Sequence, residues 1–238
     1  MSESTTVAEQ VDNATYLKNI IDYMQSTFVD RDYSIENDWK IIFKHSYMYP
    51  NQYPGYTQKK NELLIKKHST EEILGFQLLP HKFQSMSFLP MLNQHVMSEF
   101  RQAQLQNSIL KEVVPNQEGI TLFKSVDVLL KSVAHSHRRY AKIAVYKVMP
   151  GRTKVRFCTD EELNNKINDL PLEHEFDSSS MEYMGGKPLK TNSLVNQLLC
   201  SQITLQDVRE HSVNGRTIEM LEDAPRQISP VTVVTFVY

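Results

Sequence analysis

AKIAVYKVMPGRTKVRFC, residues 141–158, alternates apolar with charged side chains on both sides of a Pro150-Gly151 break. A period of two is the signature of a strand with one buried face, and Pro-Gly is turn chemistry. Two strands, Ala141 to Met149 and Thr153 to Cys158, are therefore expected as a hairpin. With a two-residue loop, Lys147 pairs with Lys154, Val145 with Arg156 and Met149 with Arg152. Paired residues share a face, so Ala144, Tyr146, Val148, Val155 and Phe157 collect on the buried side. Lys147, Arg152, Lys154 and Arg156 then stand together on the exposed side. A three-residue loop would split that set, and Pro-Gly suits a type II turn better than the primed hairpin turns.

Upstream of this stretch, Ser125 to about Arg139 reads as a helix. Another is expected from Pro90 to Val114, with Leu92, Val96, Phe100, Ala103, Leu110 and Val114 as its stripe, broken by Asn107. Ile73 to Leu79 reads as a strand ended by Pro80. Before it come a turn-rich Tyr49-Pro50-Asn51-Gln52-Tyr53-Pro54-Gly55-Tyr56 and a short apolar run, Leu63 to Lys67. Trp39 to Tyr49 alternates like a strand. At the amino end, Thr6 and Glu9 have capping-box spacing. Val7, Val11, Ala14, Leu17, Ile21, Met24 and Phe28 behind them form a helical stripe.

Downstream, Thr159 to Glu162 repeats the capping box and opens a short helix ending near Asp169. Residues 173–188 are polar and read as a loop. Helices are expected at about Thr191 to Cys200 and Thr204 to Val213, with Asn214-Gly215 as the stop of the second. Val231 to Tyr238 is apolar on both faces and rich in β-branched residues, the pattern of a central strand. Helices and hairpins mixed without regular βαβ alternation make this an α+β chain. The expected architecture is a mixed or antiparallel sheet with hairpins, packed against several amphipathic helices. Residues 1–238 read as a single α+β domain with a weak subdivision near 115–120.

Charge is segregated along the chain. From Lys124 to Arg156 nine Lys/Arg face Asp127 alone, a net of +8; from Phe157 to Glu182 eight acids face Lys166, a net of −7. The balanced total of 26 Lys+Arg and 28 Asp+Glu hides this asymmetry, which marks a candidate interaction surface. Four cations on one hairpin face suit phosphate or another anion, with Arg138 and Arg139 extending the patch. Cations on an exposed hairpin also serve solubility alone. The four tyrosines Tyr47, Tyr49, Tyr53 and Tyr56 offer large contact area at low entropy cost and are candidate protein-interface residues.

Motifs for catalysis are missing. Seven glycines in 238 residues are few for phosphate loops, and Gly185-Gly186-Lys187 lacks both the first glycine and the Ser/Thr of such a loop. His135 and His137 lie two apart, on different sides of a helix, so no metal site is expected. Cys158 and Cys200 belong to no ligand array and read as buried, reduced thiols. No apolar signal core or membrane-length run is seen, so an intracellular protein, nuclear or cytoplasmic, is expected. The sequence thus points to a non-enzymatic adaptor or structural subunit of an intracellular multiprotein complex, without cofactor. Other protein subunits are its expected partners, and its basic hairpin is an anion contact. One alternative is a DNA- or RNA-binding protein acting through residues 124–156. The other is an enzyme whose catalytic residues are scattered.

Overall fold

A computed structural model describes residues 15, 18–33, 39–42, 54–80, 94–114, 120–164, 175–206, 208–213, 216–221 and 226–238. In chain order the elements begin with helix α1 (18–26), strand β1 (Lys40–Ile42), α2 (Pro54–Ile65), β2 (Ile73–Leu78), α3 (Gln94–Leu105) and α4 (Leu110–Val113). Next come β3 (Ile120–Phe123), α5 (Val126–His135), β4 (Tyr140–Val148), β5 (Thr153–Cys158) and α6 (Asp160–Asn164). The chain continues with β6 (Ser178–Tyr183), a 3-10 turn (Leu189–Thr191), α7 (Leu194–Ser201), β7 (Gln202–Leu205), β8 (Val208–Val213), β9 (Arg216–Leu221) and β10 (Ile228–Val237).

Eight strands form one mixed sheet in the order β1-β10-β4-β2-β3-β7-β6-β5. Its pairs are antiparallel except β5 with β6. The class is α+β, as the sequence pattern implies. Alternation along β4 sends Ala141, Ile143 and Val145 into one core layer and Ala144, Tyr146 and Val148 into the other. Helices close both layers. Ile20 and Met24 of α1, Leu129 and Val133 of α5, and Leu198 and Leu199 of α7 cover the first; Met97 and Phe100 of α3 cover the second. Val231 to Phe236 are buried in β10, between β1 and β4, as an all-apolar strand requires. The β10 register with β4 slips between Pro230 and Thr232. A bulge there accommodates a proline, which has no N–H for the ladder.

The expected hairpin does not form. Both edges of β4 are occupied by β10 and β2, and β5 lies at the far end of the sheet, parallel to β6. The cause lies just past β4. The Met149 N–H donates to the Gln227 carbonyl at 2.9 Å, tying the exit of β4 to the start of β10. Gly151 then turns the chain away with φ of +66°.

Several other expectations change. Residues 178–183, inside the expected polar loop, are a buried strand. Serine suits it because the side chain is small and can be bonded, as Ser178 Oγ is with Thr153 Oγ1 at 2.8 Å. The expected helix Thr204 to Val213 is instead the end of β7 and all of β8. Val213 pairs with Arg216 in β9, leaving Asn214-Gly215 between them. That dipeptide favours a two-residue hairpin over a helix stop. Residues 54–65, expected as the end of a turn and the start of an apolar run, are helix α2, opened by Pro54. The helix expected from Pro90 to Val114 is, over the described residues 94–114, two helices divided at Asn107, whose Oδ1 accepts from the N–H groups of Ile109 (3.0 Å) and Leu110 (3.1 Å).

The buried stripe runs through Ile20 and Met24 of α1 to Phe28 just past its end, with Ile21 only partly covered. The Thr6/Glu9 box, Val7, Val11, Ala14 and Leu17 lie outside the described residues, as do 43–50. The Thr159/Glu162 box is present: Glu162 Oε2 accepts from the Thr159 N–H at 2.9 Å.

Candidate functional site

The six candidate cations do not share one surface. Arg138 and Arg139 are exposed beyond the end of α5. Lys147 sits mid-sheet in β4, paired with Glu72 at 3.5 Å. Lys60 also reaches Glu72, at 3.2 Å. Burial alone would raise the Glu72 carboxyl, but the Lys60 hydrogen bond and the Lys147 and Lys60 charges hold it below its usual value. Arg152 is exposed at the β5 entrance, 3.5 Å from Glu175, with its guanidinium over the Phe176 ring. Lys154 and Arg156 follow on β5, half-buried. Of the tyrosines, Tyr47, Tyr49 and Tyr53 lie outside the described residues. Tyr56 is buried in α2, where burial and the Glu72 charge raise its phenol. It is core, not an exposed contact.

The terminal strand β5 is where exposed apolar and basic groups meet. Among the described strands it has a neighbour on one side only. Cys158 points into the first core layer, which puts Lys154 and Arg156 on that side and Val155 and Phe157 on the other. The hairpin register would have buried Val155 and Phe157. Instead they are 37% and 55% exposed. The Met184 N–H donates to the Cys158 carbonyl at 2.9 Å, and by alternation Met184, 65% exposed, follows on the Phe157 side. The backbone is equally informative. The Arg152 carbonyl accepts from Asp177 N–H at 2.8 Å, so Arg152, Lys154, Arg156 and Cys158 direct their peptide groups toward β6. Val155 and Phe157 therefore turn their N–H and C=O outward.

The entrance to β5 is held by a buried ionic hub that the sequence pattern did not reveal. Asp177, 6% exposed, precedes β6. Its carboxylate accepts from the Arg152 N–H at 2.9 Å, meets His68 Nδ1 at 2.6 Å and lies 3.5 Å from Lys59 Nζ. Its carbonyl accepts from Gln227 Nε2 and from the Gln206 N–H, both at 2.9 Å. Next to it Arg226 forks onto Glu62, at 2.5 and 2.9 Å. Lys59 of α2, His68 just past it and the Gly151 turn thus meet on the Asp177 carboxylate, while the end of β7 and the β10 entrance bond to its backbone carbonyl.

The two cysteines and Asp127 are buried. Burial pushes the Cys200 thiol up to about 12, with Cys158 adding to the shift, and burial also raises Cys158. Neither has the electropositive, exposed setting that makes a thiolate nucleophile. Asp127, fully buried, accepts from the N–H groups of Val29 (3.3 Å) and Asp30 (3.1 Å) and pairs with Lys131 at 3.7 Å. Among the described residues no group of three His, Cys, Asp or Glu could hold a metal ion, and no helix is long and apolar enough to cross a membrane.

No protein-family model matches the chain, and no curated protein sequence matches it. Solved structures do, among them the TASOR pseudo-PARP domain. It aligns with a TM-score of 0.59 and 13% identity over 93% of this chain and 93% of that one. At this identity the likeness is one of fold.

Proposed function

We propose that the chain is a non-enzymatic binding subunit of an intracellular multiprotein complex, docking a protein partner along the open β5 edge. The observation that carries this reading is the pairing of outward peptide groups with exposed Val155, Phe157 and Met184 on a strand that, among the described residues, ends the sheet. A large aromatic left half-exposed on an open edge is an aggregation hazard for a chain with no use for it. The rigid clamp at Asp177 supports a binding role, because it pre-orders the strand and lowers the entropy cost of docking. The non-enzymatic part draws support from the buried, mutually paired titratable groups and from the likeness in fold to a domain named as a pseudo-enzyme. Free, buried cysteines agree with a reducing nuclear or cytoplasmic setting.

The test is affinity purification of the intact protein and of the Val155→Asp/Phe157→Asp variant, each with and without nuclease. Exposed substitutions of this kind cost within about 0.5 kcal/mol of stability, so the melting temperature is expected to hold. Partner proteins should survive nuclease and disappear with the double variant. A partner set unchanged by the variant overturns the docking edge. A set abolished by nuclease favours the DNA- or RNA-binding alternative.

A further inference from the structure

We infer that the β5 edge takes an extended acidic segment, one whose carboxylates alternate with apolar residues, as a further strand of the sheet. This rests on the docking edge proposed above and names the chemistry of its occupant. Three features of the edge select that chemistry. First, the outward N–H and C=O of Val155 and Phe157 are two residues apart, the spacing at which an added strand forms its ladder. Second, the apolar side chains at 155, 157 and 184 lie on one face, so every second residue of the guest must be apolar to cover them. Third, Arg152, Lys154 and Arg156 occupy the opposite face at the same two-residue spacing. Guest residues between the apolar ones are brought alongside these cations, and carboxylates there gain from the pairing.

The same cations argue against a second copy of this chain as the occupant. Pairing two β5 strands antiparallel about Val155 would set Lys154 of one copy opposite Arg156 of the other, and Arg156 opposite Lys154. Like charges directly opposed on a sheet destabilise it. Basic residues on an edge strand commonly prevent self-association. Here they do so while leaving the edge open to an acidic strand. The ion pair of Arg152 with Glu175 does not block this role, since both side chains are more than half exposed and such pairs exchange at little cost.

The experiment titrates the full chain with a synthetic peptide alternating glutamate with valine, and with its counterpart carrying lysine for glutamate. Amide hydrogen exchange is followed at Val155 and Phe157. The glutamate peptide is expected to bind at least about tenfold more tightly than the lysine peptide, a ratio worth about 1.4 kcal/mol. Added salt should reduce the difference, and the Val155 and Phe157 amides should become protected. Arg152→Glu with Arg156→Glu should invert the preference. Equal affinities, binding without protection of those two amides, absence of binding by either peptide, or dimerisation of the chain through β5 each overturn the inference. Should the double Asp variant lose its partner while the peptides show no preference, the docking edge stands and only the acidic-strand chemistry falls. Should partner and peptide binding both be indifferent to β5, both readings fall.

Discussion

At the residue scale, Asp177 bears on the most structure. Lys59, His68 and the Arg152 amide all converge on a carboxylate that water barely reaches. Removing one member of a buried pair strands the other charge, so Asp177→Ala should cost about 3–5 kcal/mol in a urea titration. Loss within experimental error would show the hub to be dispensable. Gly151 is the second such point. Its φ is +66°, and an added Cβ would come within 2.6 Å of Asp177 Oδ2. Gly151→Ala therefore combines backbone strain with displacement of the hub, which should cost about 1–3 kcal/mol. Asp127 makes a prediction about pH. Burial raises its carboxyl above the ordinary 3.8, overcoming the amides of Asp30 and Val29 and the charge of Lys131. A raised folded value means that its contribution to stability is full below about pH 4 and is lost as pH rises through that value. The stability of the native protein relative to Asp127→Asn should therefore fall as pH rises from about 4 toward neutrality, measured by denaturant titration at each pH. A rising difference would contradict the assignment.

Among the elements, β10 is an interior strand of the sheet, one place in from its β1 end. Val231, Val233, Val234 and Phe236 are all buried, and β10 bonds to β1 on one side and β4 on the other. Each buried side chain of this size contributes roughly 1.5–3 kcal/mol, and together they match the net stability of a whole domain. Deleting residues 231–238 should leave an insoluble or unfolded chain by circular dichroism. A truncated protein that melts normally would overturn the assignment of β10 as a buried interior strand. Patterns within single segments made β2, β4, β5, β10 and α5 legible as elements, β4 and β5 by alternation and β10 by apolar residues on both faces. The polar strand β6 and the β8–β9 hairpin were not legible in the same way. The strand character of β6 comes from β5 and β7, segments distant from it in the chain, and β8 pairs with β9 across an Asn214-Gly215 that also suits a helix stop.

Over the whole molecule the basic block is dispersed. Lys147 is committed to Glu72 inside the sheet, Arg138 and Arg139 stand beyond α5, and Lys154 and Arg156 belong to the far strand. Lys147→Glu should therefore lower stability by about 1 kcal/mol, by facing Glu72 with a like charge. Arg138→Glu with Arg139→Glu should change it by less than about 0.5 kcal/mol. Thermal melts of the two variants distinguish them, and equal melting temperatures would place Lys147 outside any structural role. The sequence by itself determined the α+β class, the burial of the last strand on both faces and the capping box at Thr159. These are written in contacts a few residues apart or in the amphipathicity of one segment. Only the tertiary structure decided that β4 and β5 are separated, that Val155 and Phe157 face outward, and that residues 59, 68, 152 and 177 meet. The physical reason is that a strand's alternation specifies two faces and two edges but not what covers them. The covering strands and helices come from segments distant in the chain, whose competition for each edge no local pattern records.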